Sequence, residues 1–502
     1  MIPHVLNYKG LVHMGSNNVD ALIDRALSFH RDNKVDEADA VYDQVLVLDP
    51  GNPDALHLKG AVSIQRGNYR RAVELISQAI LARPSDAAFY SNLAAALNSL
   101  GLPERAQHYA EKALCLKMNN SESYVVLAKS LIGQGKIDEA LSKLEIALKI
   151  QPSNSAAINE YIKVLTQKSR YSDLTNFLEV QLEEGRGTDK ILISLASAKK
   201  QLGRSAEALD RLNQCKHQDG HEWHVHNLKI KIDLDRLDEA RVHGREILII
   251  KDKVSALITP DEDVALRCRS WPLSLRPLDT SSPHRNIVCF SLWGNDDKYT
   301  HTAVLNAKLV PTVYPGWKAR FYVEATVPLE IIEALRNYGA QVIMMEEDAR
   351  TFLKLFWRFL AASDVNVDYF ICRDCDSIVN YREKVAVDEW LLSGKPFHIM
   401  RDHPEHAELI MAGMWGGVGG LLPNLADQAV QYYETHETKW RWVDQDFLRD
   451  CIWPLVKNSS LSHDSQYLFG PNARPFPAGS ELPNGDHVGG YMPATWSIRG
   501  KI

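Results

Sequence analysis

Apolar and polar positions along this chain follow two rhythms. Through residues 19–250 the apolar positions recur at helical spacing, as in Tyr124-Val125-Val126-Leu127-Ala128-Lys129-Ser130-Leu131 and then Ile137-Asp138-Glu139-Ala140-Leu141-Ser142-Lys143-Leu144. That pattern returns with a period of about 34 residues, the length of a helix-turn-helix unit. Ala38, Ala72, Ala106 and Ala140 keep the period, and Ala208 falls two periods on. Gly67, Gly101, Gly135 and Gly203 mark the turn between paired helices, where a left-handed cap is needed. Pro50, Pro84 and Pro152 close their repeats, with Met118 in place of proline in the third, while Val45, Ala79, Ala113 and Ala147 hold a second small-residue row. Small residues at fixed places let neighbouring helices approach closely. After four regular repeats, a fifth puts Leu174 at the alanine position, a sixth spans Leu192–Cys215, and a seventh, Trp223–Ile249, shows through Asp238-Glu239-Ala240.

The rhythm changes after Ile250. Residues 251–284 read as a linker, with Pro260, Pro272, Pro277 and Pro283. From residue 285 short apolar runs alternate with helical stretches. Strands are predicted at 286–291, 318–323 and 341–345, and helices at 298–309, 328–338 (Pro328 in the first turn) and 352–362. Another apolar run, Val367 and Tyr369–Cys372, follows. Such alternation predicts a largely parallel sheet covered on both faces. The expected order is an N-terminal segment (1–18), about seven helical repeats (19–250), the linker (251–284) and one α/β domain (285–502). The fold class is thus α plus α/β, an α-solenoid followed by a Rossmann-like, mainly parallel sheet.

The chemistry concentrates where the run Tyr369–Cys372 ends, at Arg373-Asp374-Cys375-Asp376-Ser377. Ligands of open α/β sheets bind outside the carboxyl ends of strands. Two carboxylates one residue apart repel each other there unless a cation sits between them. A hard divalent ion with a diphosphate on its far side fits that description.

The repeat pattern resembles tetratricopeptide repeats, whose solenoids bind peptides or partner subunits on a concave face. A spacer or self-association role fits the same pattern. Residues 285–502 resemble a glycosyltransferase of the GT-A fold. The resemblance is carried by the D-x-D motif, Trp357-Arg358, Gly413-Met414-Trp415-Gly416, Asp444-Gln445-Asp446-Phe447-Leu448 and His487-Val488-Gly489. It implies Asp376 and His487 as ligands of Mn²⁺ or Mg²⁺, Asp374 on ribose, metal or both, and Gly489 near the phosphates. It further implies Lys354, Arg358 and Arg373 toward the diphosphate, and Ser291 and Trp293 around the nucleoside. Trp415 and Gly416 would wall the sugar. Asp444 or, second, Asp446 would hold sugar hydroxyls or act as general base. Arg382, Asp402 and His403 are expected to contact donor sugar or acceptor. The implied activity moves a sugar from a nucleotide-diphosphate donor, UDP-sugar favoured, to a hydroxyl of a glycan or protein, with stereochemistry open.

Charge narrows the partners. A net charge of −7 argues against nucleic acid or an anionic membrane as the general partner. No apolar run approaches the roughly 20 residues of a membrane span, and Met1–Gly15 lacks the basic and apolar regions of a signal peptide. Seven scattered cysteines fit reduced thiols, so a cytoplasmic protein is expected. The lone pair Cys372 and Cys375 has no second pair to make a zinc site. Two rivals stand beside the transferase. One is a repeat scaffold with a non-catalytic second domain. The other is a nucleotidyltransferase, disfavoured because Ser291-Leu292-Trp293-Gly294-Asn295-Asp296-Asp297 is acidic rather than glycine-rich and basic.

Overall fold

The computed structural model describes residues 8–32, 34–271, 278–348, 350–436, 441–483 and 486–490. The first residues of the N-terminal segment, the linker prolines Pro272 and Pro277, and positions 491–502 of the second domain lie outside them. The chain forms two compact units, Met1–Leu202 and Gly203–Ile502.

The first unit is a run of antiparallel helix pairs. Its opening helix starts at Tyr8, ahead of the expected start of the array, and runs to Arg31. Regular pairs follow, such as Ala87–Ser99 with Pro103–Leu116 and Ser121–Gly133 with Ile137–Ile150. The period-setting alanines Ala38, Ala72, Ala106 and Ala140 are wholly buried at helix crossings. Gly60 shows how tight these are, because a Cβ there would meet Ile76 at 2.5 Å. Gly67, Gly101 and Gly135 have φ of 74°, 72° and 77°, as left-handed caps require. The fifth repeat, which lacks that glycine, uses Ser169 at φ 54°. Asn52 and Asn154 cap their helices by accepting from Ala55 and Ala157 backbone N–H groups at 3.0 Å.

The second unit is built on a sheet of eight strands: β1 Asn286–Leu292, β2 Lys318–Val323, β3 Gln341–Met344, β4 Tyr369–Arg373, β5 Phe397–Arg401, β6 Met414–Val418, β7 Ser460–Asp464 and β8 Ala473–Arg474. Their order is β3-β2-β1-β4-β6-β5-β7-β8. All neighbours run parallel except at β6, which is antiparallel to both β4 and β5. The sheet is therefore mostly parallel but mixed. Every residue of β1 and β4 is buried, the signature of strands covered on both faces.

Two elements differ from the sequence expectation, and a third was not anticipated. Pro328 precedes its helix, Leu329–Asn337, as the N-cap rather than lying in the first turn. The stretch Thr351–Ala362 is a 3₁₀ helix. At three residues per turn it lines up Leu353, Phe356, Phe359 and Ala362, all buried. The glycine-rich run at 413–417 contains a central strand. Its Gly416 and Gly417 sit where a Cβ would meet the Phe370 carbonyl oxygen and the rings of Phe397 and Phe370.

The boundary between the units falls earlier than the predicted linker. The hairpin His221–Asp233 and Leu237–Ser255, expected as the last repeat, lies in the second unit. Its Leu228, Ala240, Ile247 and Leu248 join the hydrophobic cluster that contains β1 and β4.

Candidate functional site

The carboxyl ends of β1, β2 and β4 deliver polar side chains to one edge of the sheet. After β4 come Asp374, with nearly half of its side chain exposed, and the more enclosed Asp376. Arg358 leaves the 3₁₀ helix and spans two carboxylates. One arm donates to Asp374, and the other donates to Asp444 at 2.6 Å. Its position is set from behind, since its backbone N–H donates to Ser291 Oγ at 2.9 Å and its carbonyl accepts from Cys372 Sγ at 3.3 Å. Burial opposes its charge, yet Asp374 and Asp444 hold the guanidinium protonated far above the ordinary arginine range. Arg358 Nε, buried as well, has no hydrogen-bond partner among the described residues.

Asp444 lies in the first turn of the helix Val443–Phe447 and is almost fully enclosed. Burial pushes its carboxyl up to about 6, against the pull of Arg358 and with the help of Asp374. Asp376 is raised by burial and then by its neighbour Asp374, while Lys298 works the other way. Lys298 donates to Asp376 at 2.8 Å. Sequence reading passed over this lysine, although it follows the N-cap Asp296 on the helix that continues from β1.

Several expected contacts are replaced by structural ones. Lys354 does not share a face with Arg358. Four residues of 3₁₀ helix rotate about 120° beyond a full turn, and Lys354 pairs instead with buried Glu324 at 2.5 Å. Glu324 directly follows β2, a strand end whose sequence shows no paired-acid or aromatic signal of the kind that marks the ends of β1 and β4. Arg373 is fully buried, 3.1 Å from Glu383 and donating to the Gly413 carbonyl, so it braces the motif from below rather than meeting a diphosphate. Trp415 is fully buried with its ring edge-on to Phe359 and Phe370, which makes it core and not a sugar wall. Gly416 sits mid-strand, where its missing side chain lets β6 pair with β4. Trp293 is half-buried beside the edge, 6.4 Å from Trp357 in a T-shaped pair. Asp446 is held by Arg449 at 2.7 Å and is not among the partners of Arg358.

A second cluster surrounds His487. Arg382 forks onto Asp402 with two bonds of 2.7 Å, so neither is open to a sugar or acceptor. Asp402 also accepts the Val488 backbone N–H at 3.0 Å and thereby fixes the His487 segment. His487 stacks on His403 at 4.3 Å and meets His406 at 4.9 Å. Burial and then His487 lower the pKa of both His403 and His406. Gly489, at φ 84°, lets the segment lie against Met414. Among the described residues, no three of histidine, cysteine, aspartate or glutamate gather closely enough to hold a metal ion. His487 is thus not assembled with Asp374 and Asp376. The aspartates alone retain the chemistry that suits a divalent cation, oxygen donors close enough that Asp374 adds to the rise burial gives Asp376.

Comparison with known proteins bears on the first rhythm of the sequence. Residues 29–97 and 116–226 each match a family described as tetratricopeptide repeat. A STIP1 homolog of Dictyostelium discoideum is 35% identical over 96 residues, covering 19% of this chain and 17% of its own. The TPR repeat-containing protein YpiA of Bacillus subtilis is 23% identical over 195 residues, covering 39% and 45%. The chain therefore spans less than half the length of either relative. Among solved structures, a tetratricopeptide repeat protein from Parabacteroides merdae aligns with a TM-score of 0.36 at 14% identity, covering 46% of this chain and 92% of that one. No helix among the described residues is long and apolar enough to cross a membrane. The repeated helical hairpins of the N-terminal half are tetratricopeptide repeats.

Proposed function

We propose that the repeats bind a protein or peptide partner, or a second copy of the chain, and that the second unit is a sugar transferase acting at the carboxyl edge of its sheet. The donor would be a nucleotide-diphosphate sugar, UDP-linked in the favoured case, and the acceptor a hydroxyl on a glycan or protein. The observation that carries this reading is Arg358. It is a buried guanidinium shared by Asp374 and Asp444, its Nε without a partner among the described residues, at an edge where α/β sheets bind ligands. A fork of this kind suits phosphate oxygens.

In transfer, the bond from the anomeric carbon to the diphosphate oxygen breaks and a bond to the acceptor oxygen forms. The acceptor hydroxyl loses its proton, and the departing diphosphate keeps the electron pair. Asp444, with its raised carboxyl, would take that proton if configuration inverts, or hold the sugar if it is retained. Arg358 would orient the diphosphate. Asp374 and Asp376 would hold Mn²⁺ or Mg²⁺, which when bound offsets charge on the leaving group. The cysteines are free thiols, in keeping with a reducing, cytoplasmic setting.

A second reading has its own support. The family matches fall on the repeats, and Asp374, Asp376 and Asp444 each already have a cationic partner. On this reading the chain is an interaction scaffold with a non-catalytic second unit. Calorimetric titration with UDP and GDP, with and without Mn²⁺, separates the two for wild type and Asp376→Ala. Metal-dependent binding of one nucleotide, at least about tenfold weaker in the variant, is expected of the transferase. No binding by wild type under any condition would leave the scaffold.

A further inference from the structure

The helix Leu237–Ser255 carries the period of a last repeat but touches a different set of partners. Gly244 packs so closely on Tyr467 that a Cβ would collide with the phenol ring. The Tyr467 hydroxyl donates to the Pro404 carbonyl. Lys251, nearly buried, donates to the Ala407 carbonyl at 3.2 Å and to Glu408 at 2.5 Å. Arg245 donates to the Tyr467 carbonyl at 2.6 Å, so both loops are gripped by side chain and backbone alike.

The loop around Pro404 leads to the His487 cluster. The segment 402–408 leaves β5, and His406 Nδ1 in it accepts from the backbone N–H groups of Asp402 and His403, both at 3.1 Å. Asp402 in turn holds Val488, and His403 stacks on His487. A continuous path of packed and hydrogen-bonded groups thus runs from Gly244 and Lys251 through residues 404–408 to the His487–Gly489 segment.

We infer that the helix Leu237–Ser255 is a positioning arm for the second unit, which sets the loop 402–408 and through it the His487–Gly489 segment. The arm rests on these contacts alone and stands apart from the function proposed above. Solenoid helices ordinarily bury one face against the next repeat. Here Gly244 and Lys251 are spent on an enzyme-like loop instead.

Hydrogen exchange on the full-length protein tests the arm. In Gly244→Ala and in Lys251→Met, amides of 402–408 and 486–490 should exchange about tenfold faster than in wild type, while β1 and β4 keep their rates. Lys251→Arg, which restores a cation, should return the loops to wild-type exchange. Unchanged loops in both variants would overturn the inference, as would faster exchange spread equally over β1 and β4, since that is general loosening. The lysine variant keeps the test decisive should the glycine variant fail to fold. Nucleotide titration of the same proteins reports separately. Wild type without nucleotide binding would defeat the proposed function, and the exchange pattern would still decide the arm.

Discussion

At the scale of single residues, the most consequential arrangement is one guanidinium between two carboxylates. Asp444 is enclosed to within a few per cent of its side chain, and its carboxyl sits near 6 against an ordinary value of 3.8. A raised carboxyl binds its proton more tightly in the folded than in the unfolded chain. Its contribution to stability is therefore fully present below 3.8 and is lost as pH rises through about 6. Above that the ionised group is a net cost, on the order of 3 kcal/mol for a shift of about two pH units. Asp444→Asn does not titrate. Its stability relative to wild type should improve by roughly that amount between pH 4 and pH 6.5 and stay level above. Chemical denaturation across that range measures it, and a flat difference would show that Arg358 fully compensates the charge. If Asp444 takes the acceptor proton, the same variant loses turnover, so stability and activity would move in opposite directions.

At the scale of elements, glycines of one short stretch divide labour between fold and site. Gly416 lies where β6 pairs with β4, and a Cβ would press on the Phe370 carbonyl oxygen and the Ile371 backbone. Gly416→Ala should therefore destabilise the sheet by about 1–3 kcal/mol, the usual cost of overpacking. Gly413 precedes the strand, and its Cβ would instead strike the Asp374 carboxylate. Gly413→Ala should cost little stability yet displace Asp374 and, on the function proposed, weaken metal-dependent nucleotide binding about tenfold. Thermal melts with nucleotide titrations distinguish the two, and equal effects on both readouts would refute the division. These elements also show where sequence was readable. The repeats were legible because alanine and glycine must recur wherever helices cross or turn. The motif strand was legible because strands covered on both faces are apolar runs. Strand β6 was not, since Met414-Trp415-Gly416-Gly417 reads as a loop until the rings of Phe370 and Phe397 occupy the space its glycines leave. Nor was the 3₁₀ helix, because its apolar positions Leu353, Phe356, Trp357 and Leu360 recur three and four residues apart, as in an ordinary amphipathic α-helix. The D-x-D carboxylates were visible at once, whereas their sharing of Arg358 with Asp444 joins positions 86 apart in sequence.

At the scale of the whole molecule, sequence period and structural unit part company. The period of about 34 residues runs on through the hairpin at 221–255, but the compact unit begins at Gly203. The reason lies in what the hairpin buries. Leu228, Ile247 and Leu248 are at most 3% exposed, within the same cluster as Ile287 and Phe370. Removing three such side chains forfeits roughly 1.5–3 kcal/mol each. That sum is comparable to the 5–15 kcal/mol that holds an ordinary domain together. Asp252, which accepts from Trp453 Nε1 at 2.6 Å, and Ser255, which donates to the Arg449 carbonyl at 2.9 Å, add polar ties that would be left unmet. A fragment of residues 203–502 should therefore be soluble and melt cooperatively. One of residues 285–502, the domain as its strand and helix alternation alone would cut it, should aggregate or melt without a sharp transition. Soluble yield and calorimetry of the two fragments decide the matter. A shorter fragment that melted as sharply and as high as the longer would mean that the hairpin only rests against a self-sufficient sheet. Failure of the shorter fragment alone would mean that the last period of the repeat pattern has become part of the second unit's core.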